Sequence, residues 1–176
     1  MLFYIETERL IMRDLLPTDD AGMFALDSDP DVHRYLGNNP IHTIDEARKV
    51  IDFIREQYVT RGIGRWAVIE KATGNFIGWS GLKFMTDTVN GHTNYYDLGY
   101  RFIKQYWGKG YATETAIATA QYGWNVLNLS VINGTADLNN AASRNVLEKI
   151  GMQYINTYNY SPEITCAWYE LSRPKQ

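Results

Sequence analysis

Cysteine is nearly absent from the chain. Its 176 residues include one, Cys166, so neither an internal disulfide nor a multi-cysteine zinc site is open to it. Histidine is also scarce. His33, His42 and His92 fall in separate segments without metal-ligand spacing, so no metal is expected. Neither sign of charge dominates: 20 acidic against 17 basic side chains leave a net charge of -3. That balance argues against wholesale electrostatic binding of nucleic acid. Long hydrophobic runs are missing too. The stretch from Thr115 to Ala136 carries no charge, but Gln121, Asn125, Asn128, Ser130 and Asn133 interrupt it. Each would be unfavourable in hydrocarbon, so the stretch reads as buried soluble structure and no membrane partner is expected. The opening MLFYIETERL has neither the basic region nor the apolar length of a signal peptide. A cytoplasmic location is the default expectation.

Apolar residues make up 45%, charged residues 21% and aromatics 14%. These are the proportions of a folded globular chain, and they exclude disorder for most of it. The length suits a single domain over residues 1–176 with a core that needs no staple.

The local patterns alternate between the two periodicities. Arg9 to Arg13 reads as a short strand. Pro17-Thr18-Asp19-Asp20 opens a helix that Met23, Phe24 and Leu26 anchor, and Asp29-Pro30-Asp31 opens another that stops near Gly37. Thr43 to Tyr58 is the clearest helix: Thr43 and Glu46 form a capping box, Ile44, Ala47, Ile51, Ile54 and Tyr58 share one face, and Gly62 stops it. Arg65 to Lys71 and Phe76 to Met85 then read as a hairpin, in which Gly78 and Gly81 mark a bulge or a close backbone approach. After a polar loop, Tyr95 to Phe102 is a strand, Gly110 to Trp124 a helix, Ser130 to Ala136 a strand and Asn140 to Ile150 a helix closed by Gly151. Two strands, near Met152 to Tyr160 and Thr165 to Leu171, end the pattern. This is an α+β arrangement with a mostly antiparallel sheet. One parallel pair is expected, between Tyr95–Phe102 and Ser130–Ala136, because a crossover helix joins them.

The segment that carries chemistry is YRFIKQYWGKGYATE, Tyr100 to Glu114. A strand ends, a connection carries Gly108 and Gly110, and a helix begins. Amides at a helix start lack intrahelical partners, and the helix dipole adds positive potential there, which together suit a phosphate. Glycine lets backbone approach an anion closely, and Lys109 can add charge. A Walker loop needs Ser or Thr where Gly110 stands, and the dinucleotide fingerprint needs glycine where Thr113 stands. What fits is Q-x-x-G-x-G, from Gln105 to Gly110. Read alone, it is equally a glycine-rich turn that binds nothing.

The wider pattern is more specific. Asp97-Leu-Gly-Tyr-Arg-Phe102, Trp107-Gly-Lys-Gly-Tyr-Ala-Thr-Glu114 and Asn140-Ala-Ala-Ser143 running on to Gly151-Met152 follow in order, after Glu8-Arg9-Leu-Ile-Met-Arg13 and Ser28 to Gly37. This constellation resembles the GNAT superfamily of N-acetyltransferases. Within it, the likeness is to the branch that acetylates ribosomal-protein N-termini and to the related polyamine and antibiotic enzymes.

The resemblance implies a mixed, mostly antiparallel sheet of about seven strands flanked by helices. Its fourth strand (Tyr95–Phe102) and fifth (Ser130–Ala136) would splay around acetyl-CoA as co-substrate. Main-chain groups of Tyr100, Arg101 and Phe102 would pair with the pantetheine arm. The amides of Trp107, Gly108, Lys109, Gly110, Tyr111, Ala112 and Thr113 would hold the pyrophosphate. Asn140 matches the family's asparagine beside the pantetheine and would also serve as an N-cap. The partners implied are acetyl-CoA and an amine acceptor, with the chain a monomer or homodimer.

The chain departs from the family at Asp97, where Glu is frequent, at Met152 in place of Phe, and at Leu147, where many members carry the tyrosine that protonates the leaving thiolate. Ser143, one turn before Leu147, is the nearest replacement donor, or a helix-surface serine bonded to its own backbone. Acyl transfer needs a neutral amine, so a group must take its proton. Asp97 is the first choice for that base; its alternative is an ion-paired strand residue. Cys166, in the apolar ITCAWYE, reads as a core thiol more than as the nucleophile of an acyl-enzyme. His33 and His42 flank the acceptor side. Tyr35, Trp66, Trp79, Tyr154, Tyr158 and Tyr160 divide between core and acceptor wall. Two rival readings stay open, a non-catalytic acyl-CoA-binding module on the same fold and a nucleotide-binding phosphotransferase.

Overall fold

The computed structural model describes residues 4–175. Eight strands form one sheet among them: β1 (Tyr4–Glu6), β2 (Leu10–Arg13), β3 (Trp66–Glu70), β4 (Phe76–Met85), β5 (Tyr95–Phe102), β6 (Val131–Asp137), β7 (Gln153–Asn159) and β8 (Thr165–Ser172). Five helices accompany them: α1 (Asp20–Asp27), α2 (Pro30–His33), α3 (Ile44–Arg61), α4 (Tyr111–Asn125) and α5 (Ala141–Lys149). The strand order is β1-β2-β3-β4-β5-β6-β8-β7, antiparallel at every pairing except β5 with β6. The mixed, mostly antiparallel sheet expected from the sequence is present, with one strand more. Tyr4–Glu6 pairs with β2 through Tyr4↔Arg13 and Glu6↔Ile11. Three residues carry too little alternation to announce a strand. The splayed pair is accordingly the fifth and sixth strands in chain order.

Each face of the sheet is buried against helices. On one side α1 and α3 bring Met23, Leu26, Ala47, Ile51 and Ile54 against Ala67, with Trp79 beside them. The α3 start is the capping box read from the sequence: Thr43 Oγ1 accepts from Glu46 N at 3.3 Å, and Glu46 Oε2 accepts from Thr43 N at 2.8 Å. Gly62 ends the helix in the left-handed conformation, φ +71°. On the other side α4 and α5 bring Ala116, Ala120, Trp124 and Leu147 against Leu82, Leu98 and Ile132. Gly78 lies at a bulge, where the β3–β4 register steps from Val68↔Gly78 to Ile69↔Phe76. A Cβ on Gly78 would stand 2.2 Å from the Arg101 carbonyl oxygen, so glycine there permits the close approach of β5.

The feature that positions a site is the β5–β6 pair. These two strands are in register only at Asp97↔Asn133. Beyond that rung Leu98–Phe102 has β4 on one side and no strand partner on the other. A wedge with free backbone edges opens there.

Candidate active site

The wedge leads to the glycine-bounded start of α4. A 3-10 turn, Lys104–Tyr106, follows β5, and the Trp107 indole Nε1 donates to the Phe102 carbonyl at 2.7 Å. Of the three residues expected to present main-chain groups, Phe102 thus has its carbonyl engaged within the chain. Gly108 (φ +73°) and Gly110 (φ +80°) are both left-handed, a region glycine occupies without a Cβ penalty. Among the described residues the amides of Gly108 through Thr113 donate to no protein acceptor, and no side chain caps α4. A Cβ on Gly108 would meet nothing within 4 Å, so the space over this row of amides is open. Unpaired amides, a helix start and open space suit a pyrophosphate.

Arg9 holds this loop in shape. Its Nη1 donates to the Lys109 carbonyl at 2.8 Å, and its Nε donates to Glu114 at 2.7 Å. The guanidinium also lies 4.5 Å from the centre of the Tyr111 ring. Burial pushes the Glu114 carboxyl up, but hydrogen bonds from Thr7 and Arg9 outweigh this and hold it below its ordinary value. Sequence reading gave Arg9 no role. The pairing spans 105 residues, and no local pattern encodes it.

Across the wedge, β5 faces the start of α5. Asn140 Oδ1 accepts from Ser143 N at 3.1 Å and so caps that helix. The Tyr100 hydroxyl donates to the Ser143 carbonyl at 2.8 Å and lies 3.1 Å from Ser143 Oγ. Leu147, by contrast, is buried beneath Gly134. Tyr100 was expected to contribute main-chain groups; its side chain adds a phenol that ties strand to helix. Burial raises the Tyr100 pKa far above its ordinary value, so the phenol stays protonated and able to donate.

Asp97 lies at the root of the wedge. Its Oδ2 is 2.5 Å from Arg65 Nη2, while Arg65 Nη1 donates to the main-chain carbonyls of Asp97 and Gly81. Burial pushes the Asp97 carboxyl up, opposed by Arg65 and then Lys83. The ion-paired arrangement that the sequence left open is therefore present. Four residues further along β5, Arg101 Nη1 reaches the buried Asp27 at 2.7 Å, with His33 Nε2 at 3.6 Å from the same oxygen. Neither ring nitrogen of His33 has a hydrogen-bond partner.

Burial and then the Arg101 charge depress the His33 pKa below its ordinary 6.5, against the pull of Asp27. The folded state thus resists a proton that the unfolded chain accepts. Stability is full above the unfolded value and falls as pH drops through it. The melting temperature should decline between about pH 7.5 and pH 5.5, and His33→Gln should flatten that decline. An equal slope in the variant would move the effect to other groups. His42 is exposed at the start of α3, where Glu46 accepts from its amide.

Cys166 is buried beside Asp137 and Tyr158, and burial pushes its thiol up, away from the reactive thiolate. Cys166→Ala should retain most activity; an acetylated Cys166 recovered after incubation with acetyl-CoA alone would overturn this. Of the singled-out aromatics, Trp66 is core, Tyr154 and Tyr160 are exposed, and Tyr158 packs edge-on to Trp168 at 5.9 Å. Trp79 carries two guanidiniums, Arg101 at 5.0 Å and Arg65 at 5.4 Å.

Known proteins share this architecture. The Bacillus subtilis (strain 168) protein named uncharacterized N-acetyltransferase YoaA is 30% identical over 149 residues, covering 85% of this chain and 82% of its own. The solved GNAT-family acetyltransferase from Bacillus anthracis superposes with a TM-score of 0.79 at 25% identity, over 97% of this chain and 98% of that one. A ribosomal-protein-S5-alanine acetyltransferase from Vibrio fischeri gives 0.77 at 15% identity over 97% and 96%, a likeness of fold alone. The family description "Acetyltransferase (GNAT) domain" matches residues 9–153 and so spans both the amide row before α4 and the wedge between β5 and β6. The chain therefore belongs to the GNAT family and is an acetyltransferase.

Proposed function

We propose that the chain moves an acetyl group from acetyl-CoA to a primary amine, on a protein N-terminus or a small molecule, by direct attack within a ternary complex. The observation that carries this reading is the junction of two unsatisfied backbone surfaces. The free edge of β5 beyond Asp97↔Asn133 runs into six unpaired amides at the start of α4, Gly108 through Thr113. An extended arm with a pyrophosphate at its end has matching needs. In this reading Tyr100, Arg101 and Phe102 present main-chain groups to the arm, Asn140 flanks it, and the amides from Gly108 to Thr113 with Lys109 receive the pyrophosphate; the Trp107 amide, expected in that row, donates instead to the Lys104 carbonyl at 3.0 Å. Acetyl-CoA supplies a thioester that an amine can attack; the C–N bond forms as the C–S bond breaks.

Asp97 takes the amine proton directly or through water. Its raised pKa suits that task better than an ordinary carboxylate would, because basicity then lies nearer the working pH. Ser143 is the donor to the departing sulfur, oriented by Tyr100. A main-chain N–H of β5 steadies the tetrahedral oxyanion. The branch whose motifs the chain resembles is the one that acetylates ribosomal-protein N-termini, and a cytoplasmic setting fits it.

Release of free thiol over a panel of amines and peptides tests the proposal. Turnover on any primary amine supports it. Tight acetyl-CoA binding with no turnover on any primary amine would overturn it.

A further inference from the structure

Lys83 stands directly opposite Asp97 across the β4–β5 pair. Paired residues of an antiparallel ladder point to the same face of the sheet, with Cβ atoms about 4.5–5.5 Å apart. The flexible four-carbon stem of a lysine spans that gap, so the Lys83 amine can swing over the carboxylate at the root of the wedge. Among the described residues Lys83 makes no hydrogen bond and no ion pair. Its Nζ lies 5.6 Å from the centre of the Phe53 ring. That ring is itself exposed on α3, and a cation–π contact at an exposed site is weak. Little therefore holds the amine away from Asp97.

The setting is unlike that of any other lysine in the chain. Lys83 is half-buried, and every other lysine is exposed. Lys71 is committed to Glu6 at 2.9 Å, Lys104 pairs with Asp31, and Lys109 lies 5.1 Å from the centre of the Tyr106 ring. The charged groups facing Lys83 are Arg65, Asp97, Arg61 and Asp87. Of these, Arg65 answers Asp97, Arg61 donates to the Phe84 carbonyl at 2.8 Å, and Asp87 is exposed after the end of β4. Burial and then the Arg65 charge push the Lys83 amine below its ordinary value, against the pull of Asp97. More of it is then the free amine, the form that attacks a thioester.

We propose that Lys83 is a self-acetylation site: with no acceptor in the wedge, the acetyl group of bound acetyl-CoA moves to its Nζ. The proposal rests on the acetyl-transfer reading. The free amine attacks the thioester carbon, the N–C bond forms and the C–S bond breaks. One amine proton passes to Asp97, and the sulfur leaves as CoA thiolate. The product is a neutral amide, which costs less to hold half-buried than an ammonium. It also removes a cation that, after Arg65, holds the Asp97 carboxyl down, so the modification acts on the base itself.

The test incubates the wild-type chain with acetyl-CoA carrying a deuterated acetyl group and no acceptor, followed by peptide mapping in a mass spectrometer. The isotope separates this label from any acetyl group acquired during expression. Lys83 should be labelled about tenfold or more faster than the exposed Lys49 and Lys149, at a rate independent of protein concentration. Asp97→Asn should slow labelling at Lys83 by about two decades and leave the exposed lysines unchanged. Labelling of Lys83 no faster than of Lys49, a rate that rises with protein concentration, or an unchanged rate in folded Asp97→Asn would overturn the proposal. Should Asp97→Asn not fold, competition in the wild type decides. Excess CoA should suppress the label at Lys83 alone, and a Lys83 label indifferent to CoA removes the site. An enzyme that acetylates added amines and leaves Lys83 unmodified fails this proposal alone. A chain that acetylates neither fails the transfer reading, and this proposal with it.

Discussion

Gly108→Val should weaken CoA binding by about one to four decades while the protein stays folded, as measured by calorimetry beside circular dichroism. The reason is conformational. A Cβ at this position has open space around it, so no neighbour is struck. The strain comes instead from φ +73°, a left-handed value that a β-branched residue adopts at a penalty of roughly 1–2 kcal/mol. The loop relieves the strain by turning its peptide planes, and the amides of Gly108 and Lys109 swing out of the row. Each charge-assisted bond lost is worth about 1.5–3 kcal/mol. Gly108→Ala separates the two causes, because it carries the φ strain without the branch and should fall between wild type and Val. Arg9, Glu114 and Tyr111 brace the loop from the other side, which keeps the damage local. Unchanged affinity in folded Gly108→Val would take the loop out of the binding site.

How much of this was legible in the sequence follows from the distance over which each feature is encoded. The α3 cap lies within four residues, Thr43 to Glu46, and was readable as a motif. Strands β4 and β5 have the bounds that alternation suggested, Phe76–Met85 and Tyr95–Phe102. The parallel pairing of β5 with β6 was readable because a helix joins them. Side-chain partnerships were not. Arg65 and Asp97 are 32 residues apart, Tyr100 and Ser143 are 43 apart, and Arg9 and Glu114 are 105 apart. Each depends on sheet register and helix docking, which are settled by packing across the whole chain. Ser143 shows the limit well. Helical spacing placed it one turn from Leu147, but not against Tyr100, whose hydroxyl reaches it from β5.

Asp97→Asn should lower kcat by about two decades or more, the lower range for loss of a general base. The substitution preserves shape and leaves an amide oxygen for Arg65 Nη2, so the hydrogen bond stays while the Arg65 charge loses its counter-ion. Thermal melting should confirm that the variant folds. The pH profile carries the sharper signature. In the wild type the base must be ionised to work, and burial lifts Asp97 above the usual carboxylate range, so activity should fall on the acid side at a correspondingly higher pH. In Asp97→Asn that acid limb disappears. The rate should instead climb with pH as the acceptor deprotonates itself, toward about 8 for a peptide α-amine or about 10.4 for a lysine-type amine. Ser143→Ala should be milder, about tenfold, because a thiol with a pKa near that of free cysteine, about 8.5, already leaves fairly well as thiolate near neutrality. If Asp97→Asn keeps both the rate and the acid limb, Asp97 serves Arg65 alone. The proton must then leave by another group on the same face of the sheet, with His33 beside Asp27 the next to substitute.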